Sequence, residues 1–344
     1  MASTKTDFAD RFEAEAKSDS QPGTEGIDDC GLRFLLAMRH HIYLIRTLPP
    51  IQRVQIRKQG LKSSSLVWAY HSESTEELLS CIPSMQKGDP IWTELKEFGA
   101  GWWINNINIL KRTIEKVAKS AFQMNKDPMD AAIYYLAMKK KSVLWGLYRS
   151  LSNKKMVDFF KNNFEEDRWR KAALKNAFDL LGRQRFTHAA AFFLLAGSLH
   201  DAVEVCLNNL YDIQLALVIC RLYDEDMLSV NVKEILYSQI LGCDKNGNNY
   251  DLDRVHADPF LRSMSLWSFK DFRGSLNTLL QDAKKQRMHN TDPENCSLPS
   301  VFNFYNYLRT HPLLVRQRMA SAGKSMHRKS VIPGFTRQTQ SYRN

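Results

Sequence analysis

Apolar residues in RFTHAAAFFLLAGSLHDAVEVC, Arg185 to Cys206, form two small-residue-rich runs parted by Gly197 and Ser198. Runs of this length predict short helices, because about 12 to 15 residues are marginal for an isolated helix and the remaining stability has to come from stacking. A second segment reads the same way. Shifting DAAIYYLAM, Asp130 to Met138, by 58 residues puts Ala131 and Ala132 on Ala189 and Ala190, Tyr134 and Tyr135 on Phe192 and Phe193, and Leu136 on Leu194. Ala189, Ala202 and Ala216 then recur 13 and 14 residues apart, each near the start of a short helix. Two such helices make a unit of about 27 residues, within the range of stacked helical-hairpin repeats. Small residues let neighbouring helices approach, and the aromatics fill the gaps between layers.

Helix-start signals recur along the chain. Ser74 stands three before Glu77, Asn163 three before Glu166 and Ser198 three before Asp201. Such pairs predict a capping side chain on a first-turn N–H, with an acid at the positive end of the helix. Asp127-Pro128 and Asp258-Pro259 mark two more starts, with proline where its missing N–H costs nothing. A broad apolar face, Leu32, Leu35, Leu36, Tyr43 and Leu44, predicts a first helix that Pro49-Pro50 ends. Strand patterns are scarce, and Asn246-Gly247 sits in polar surroundings rather than between alternating runs. The fold class expected is therefore all-α: an α-solenoid-like array of short helical hairpins with disordered termini.

Composition sets the boundaries. Residues 1–29 carry three basic and eight acidic side chains and end in SDSQPGTEGIDD, a poor basis for a core, and they read as a disordered acidic leader. Residues 30–284 read as the helical domain, interrupted by a polar loop at 244–258 and closed by a helical pair in PFLRSMSLWSFKDFRGSLNTLLQ. Residues 285–344 read as a linker, a single aromatic helix in VFNFYNYLRTHPLLVRQRM and a basic disordered tail. The tail contributes much of the formal charge of +11, which weakens any inference to nucleic acid. No stretch reaches about 18 uncharged apolar residues and no basic start precedes an apolar run, so a cytosolic protein, free or on a membrane surface, is expected. The six cysteines show no CxxC spacing and read as reduced thiols.

Chemistry-bearing patterns are few. No HExxH or Cys/His spacing occurs, and His40 and His41 point to different helix faces, so no metal site is expected. DKNGNNYDLDRV offers Asp244, Asn246 and Asn248 at alternate positions, yet places Asn249 where a calcium loop needs glycine and Val255 where it needs glutamate. Gly99-Ala100-Gly101 lacks the third glycine and the lysine of a phosphate loop, and no GxSxG elbow is present, so no cofactor or catalytic residue is expected. Trp102 and Trp103 read as packing residues. NFEEDRWRKAALKNAF pairs Glu165 with Arg168, Glu166 with Arg170 and Asp167 with Lys171 at i,i+3 or i,i+4. That is the pattern of a solvated face, or of a partner-binding surface of Arg168, Trp169, Arg170 and Lys171. Lys139, Lys140 and Lys141 follow a helix C-terminus, where cations complement the dipole or meet an acidic lipid or protein. Arg33 to Lys62 holds seven basic residues and no acid, without any nucleic-acid recognition motif.

The blocks CGLRFLLAMRHHIYLIRTLPP, WAYHSESTEELL, KGDPIWTELKEFGAGWWINNI, IEKVAKSAF, DPMDAAIYYLAMKKKSVLWGLYR, NNFEEDRWRKAALKNAFDLLGRQRFTHAAAFFLLAGSLHDAVEVCL and DIQLALVICRLY closely resemble the C-terminal helical domain of the RAVE-complex large subunit. Animal relatives of that subunit are the DmX-like proteins, or rabconnectin alpha subunits. The resemblance runs from about Cys30 to Leu280 and is unbroken from Asn162 to Tyr223. It implies a non-enzymatic scaffold that promotes assembly of the vacuolar proton-pumping ATPase, and so acidification of endosomes, lysosomes or vesicles. Implied partners are the peripheral-sector subunits of that ATPase, other RAVE/rabconnectin subunits and Rab regulators, with no nucleic acid. Peripheral association with endosomal, lysosomal or synaptic vesicle membranes follows through those partners. A vesicle-trafficking scaffold binding Rab GTPase regulators is the alternative reading. Full-length members of the family are far longer and carry WD-repeat propellers, in whose place this chain has a short acidic leader and a basic tail, the pattern of a fragment, a truncated gene model or a short isoform, so the resemblance does not carry a propeller-dependent activity over to it.

Overall fold

Proline, asparagine and aspartate at helix starts cut the chain into short elements, and the computed structural model describes residues 26–280 and 298–329 of it. Twenty α-helices and one π turn are present among the described residues, with no strand. The acidic leader up to residue 25, residues 281–297 and the tail beyond 329 lie outside the described residues.

An N-terminal group holds α1 (Asp29–Thr47), α2 (Pro50–Gln59), α3 (Ser63–Tyr70), α4 (Thr75–Ser80), α5 (Pro83–Lys87), α6 (Trp92–Glu97) and α7 (Ala100–Trp103). The middle of the chain forms α8 (Ile107–Asn125), α9 (Pro128–Ala137), α10 (Lys141–Ser150), α11 (Lys154–Lys161), α12 (Asp167–Gly182), α13 (Phe186–Leu195), α14 (Leu199–Asn208), α15 (Ile213–Asp224) and α16 (Val230–Ile235), the last running into the π turn at Leu236–Leu241. A C-terminal group completes the array with α17 (Pro259–Ser268), α18 (Phe272–Leu280), α19 (Leu298–Thr310) and α20 (Pro312–Lys329).

The two look-alike segments of the sequence are α9 and α13, and they pack directly against each other. In α13 every residue from Ala189 to Leu195 is buried, and in α9 the buried run is Ala131 to Ala137. Neither helix has a polar face, so each is walled in: α9 by α8, α10 and α15, α13 by α12 and α14. Ala189, Ala202 and Ala216 are the fourth residues of α13, α14 and α15 and are fully buried, which lets these three helices approach closely.

The connections repeat as well. Ser198 N–H donates to Phe193 O, Lys140 N–H to Tyr135 O, Asn153 N–H to Tyr148 O and Arg185 N–H to Leu180 O, all at 2.8 to 3.1 Å. Each is the long bond of a helix-ending turn that needs a left-handed residue just before the donor. Gly197 serves there after α13, but Lys139, Ser152 and Gln184 adopt the same positive φ after α9, α10 and α12.

Several caps differ from expectation. Asp127 and Asp258 do cap α9 and α17 through their side chains. Ser74 caps nothing: its Oγ donates to Gly26 O and accepts from Asp28 N–H, pinning the start of α1 to α4. Ser198 Oγ bonds Asp201 instead of a backbone N–H. Asn163 accepts from Glu165 N–H in a local turn, and α12 begins only at Asp167. The first helix buries Phe34, Leu35, Met38, His41 and Ile45, whereas Leu32, Leu36 and Tyr43 are exposed. The aromatic C-terminal run is two helices, because His311-Pro312 breaks it, and α20 extends to Lys329 into the stretch expected to be disordered.

That C-terminal pair closes a second core. Phe304, Leu308 and Leu314 pack with Phe260, Met264, Leu276, Leu279 and with Val67 of α3, joining the C-terminal group of helices to the N-terminal one. His71 sits in this core with its ring 4.7 Å from Trp267, 5.7 Å from His311 and 5.9 Å from Tyr307, and its Nε2 is shut off from solvent without a hydrogen-bond partner. Burial, followed by the neighbouring His311, pushes the His71 pKa down to about 3. An unfolded histidine takes up its proton below about pH 6.5. Between those two values the unfolded chain binds the extra proton, so stability falls with pH by up to about 1.4 kcal/mol per unit for such a group. His311, also held down by burial, acts in the same direction. Melting of the chain is therefore expected to drop from about pH 7 to about pH 5.5, and to drop less in His71→Phe. Equal drops in both would remove His71 from the cause.

Candidate partner-binding surface

Seven side chains carry the expectation of a surface, and the structure places them at two points, the turn from α9 to α10 and the first turn of α12. Lys139, Lys140 and Lys141 occupy the turn from α9 to α10, and the left-handed turn fans them apart. Lys139 Nζ lies 4.6 Å from the centroid of the Tyr223 ring on α15. Lys140 Nζ donates to Glu115 Oε2 on α8 at 2.8 Å. Lys141 Nζ donates to Asn162 O at 2.6 Å and stands 5.2 Å from the centroid of the Phe164 ring. Each lysine thus ties its turn to a different element.

Arg168, Trp169, Arg170 and Lys171 form the first turn of α12. The expected pairs of Glu165 with Arg168 and Glu166 with Arg170 do not form, because both glutamates precede the helix and lose the i,i+3 and i,i+4 geometry. Arg170 instead bonds Asp167 at 3.1 Å, the Arg168 guanidinium lies 5.0 Å from the Trp169 ring, and Lys171 is exposed with no partner among the described residues. Trp169 is half-buried, its ring edge-on to Phe159. Phe159 meets Phe164, and Phe164 underlies Lys141. A short aromatic row therefore connects the Lys141 end of the first cluster to the second, a juxtaposition that the 27-residue gap between Lys141 and Arg168 hides in the sequence.

The remaining polar features serve the framework. His41 and Glu97 form a buried pair at 2.8 Å that joins α1 to α6. Trp103 donates its Nε1 H to Phe98 O and is fully buried. Asp244 Oδ1 accepts from the N–H of Asn246 and of Asn248, so the calcium-like loop uses its first carboxylate on itself. Among the described residues, no group of three or more His, Cys, Asp or Glu is placed to hold a metal ion. Cys30, Cys81, Cys206, Cys220 and Cys243 are unpaired, and burial pushes the Cys220 thiol up to about 12.

These elements define a class: an all-α framework of stacked helical hairpins with basic and aromatic side chains along its edges. The chain belongs to the family described as RAVE protein 1 C terminal, whose model it matches over residues 14–322. It is 53% identical over 327 residues to DmX-like protein 1 of Homo sapiens, covering 94% of this chain and 10% of that relative. It is 37% identical over 221 residues to Regulator of V-ATPase in vacuolar membrane protein 1 of Saccharomyces cerevisiae, covering 62% of this chain and 15% of that relative. Against the protein of the same name in Schizosaccharomyces pombe the identity is 27% over 218 residues, 62% of this chain and 16% of the relative. The chain thus spans only a small part of the length of each.

Lys140 and Glu115 are both partly exposed, which limits the strength of their pairing. Replacing either with alanine is expected to cost less than about 1 kcal/mol. A double-mutant cycle should show that the two losses are coupled. The Lys140 hydrogen bond holds the Glu115 carboxyl below its ordinary range. The coupling is therefore expected to be complete at neutral pH and to fade as the pH falls through that lowered value. Fully additive losses in thermal or urea unfolding would mean that Lys140 is not held by Glu115 in solution.

Proposed function

We propose that this chain is a non-enzymatic scaffold segment of a RAVE/rabconnectin-type complex that promotes assembly of the vacuolar proton-pumping ATPase, and so acidifies endosomes, lysosomes or vesicles. The observation that carries this reading is the family match over residues 14–322, together with yeast relatives named as regulators of V-ATPase in the vacuolar membrane. The architecture supports it. A rigid stack of hairpins offers a long surface and can hold two partners at a fixed spacing, which is the physical requirement for rejoining separated parts of a larger machine. Its partners on this reading are peripheral-sector subunits of the ATPase and other RAVE/rabconnectin subunits. Membrane association is peripheral, through those partners; among the described residues no helix is long and apolar enough to cross a membrane.

Arg168, Trp169, Arg170, Lys171 and the neighbouring Lys139, Lys140 and Lys141 are proposed as one contact surface. Trp169 supplies an aromatic anchor, and Lys171 is a cation without a partner of its own among the described residues. Immobilised chain is expected to capture purified peripheral-sector subunits, and reversing Arg168, Arg170 and Lys171 to Glu should lower that capture about tenfold, or about 1.4 kcal/mol. Helicity by circular dichroism should stay unchanged. Undiminished capture would reduce this face to a solvated one, and retention of Rab GTPase regulators alone would replace the pump reading with the trafficking one.

A further inference from the structure

An open groove of about 380 Å³ runs along the outer side of α1, where Ile42, Tyr43 and Pro83 give it an apolar floor. Arg39 and Arg46 of α1 and Lys87 of α5 line it, and none of its lining residues is a carboxylate. None of these three cations has a hydrogen bond or an ion pair among the described residues, although like charges gathered at one site repel. Of the acids nearby, Glu77 acts on Cys81 at the groove wall, opposed there by Arg39. The groove therefore suits an occupant that brings both negative charge and apolar bulk.

We propose that the acidic leader of this same chain, centred on Asp7 to Ala16, docks in the groove. That segment, DFADRFEAEA, carries Asp7, Asp10, Glu13 and Glu15 against the single base Arg11. Phe8 and Phe12 are four residues apart, a spacing that puts both rings on one side of a helix with acids around them. Rings on Ile42, Tyr43 and Pro83, and carboxylates on Arg39, Arg46 and Lys87, match the groove in both kind and sign. The tether is long enough. From Phe12 to Gly26 the chain spans about 45 Å when extended, whereas α1 moves only about 20 Å from Asp28 to Ile42. Joined in this way, the leader faces the groove at an effective concentration in the millimolar range, so a weak intrinsic fit is enough to fill it. Ser74 and Asp28 fix the point from which the leader departs, since Ser74 Oγ accepts from Asp28 N–H and donates to Gly26 O.

The test places a photo-crosslinker in the full chain, Phe12→p-benzoylphenylalanine, and maps the adducts by mass spectrometry. Adducts are expected on the peptides holding Ile42, Tyr43, Pro83 or Gln86, with a yield that is independent of protein concentration. The yield should fall at least fivefold in the triple variant Arg39→Glu, Arg46→Glu, Lys87→Glu, and measurably in Lys87→Glu alone, whose side chain is exposed. Adducts on other faces, no adduct, or a yield indifferent to charge reversal in a variant of unchanged melting temperature would overturn the proposal. Adducts that form only between molecules and fade on dilution would overturn it too, by giving the groove to a second copy.

Discussion

Two ten-residue helices with no polar face are the constraint on which the rest of the structure depends. Alone in water, α9 or α13 would be too short to persist and would expose tyrosine, phenylalanine and leucine on every side. Pressed together they shield one flank each, and the other flanks demand α8, α10, α12, α14 and α15. The fully buried alanines at the fourth position of successive helices make that crowding possible, because a larger side chain there would hold the layers apart.

Polar contacts from α15 then attach the N-terminal helices to this stack. Asp212 accepts from Leu215 N–H at the start of α15, from Trp92 Nε1 at 2.9 Å, and pairs with Lys96 at 2.9 Å. Gln214 accepts from Gly101 N–H and donates to Lys96 O, while buried Arg221 donates to Gly101 O and Met227 O. Gly101 cannot carry a side chain there, since a Cβ would lie 2.6 Å from that of Gln214. Desolvation lowers the Arg221 pKa to about 10, which leaves it charged at neutral pH, its donors met by carbonyls.

Much of this was readable from residues alone. The 58-residue echo between α9 and α13, the alanine register and the Asp-Pro caps are local patterns, and local patterns survive in a sequence. What escaped reading depends on distance or on backbone conformation. Lys139 takes the left-handed position that Gly197 holds in the second copy, so the three lysines that follow α9 are splayed by a turn onto Tyr223, Glu115 and Asn162. Ser74 looked like a cap, but the capping geometry lost to a contact with Gly26 and Asp28, more than forty positions away. Asn106, Asn153 and Asp212 cap helices without an acid three residues later, so the paired signal missed them. Lys87 joins Arg39 and Arg46 only because α5 folds back beside α1. Of the candidate surface, the residue types were visible and the aromatic row linking Lys141 to Trp169 was not.

A framework of this kind acts by holding its shape, and so the interlocking of α9, α13 and α15 is the claim that most needs a direct measurement. Native-state hydrogen exchange followed by mass spectrometry gives it. The account predicts that backbone amides of these three helices exchange slowest in the chain and together, through one shared opening of the highest free energy. Rapid exchange in α9 while α13 stays protected would contradict it, since neither helix could then be the wall that the other requires.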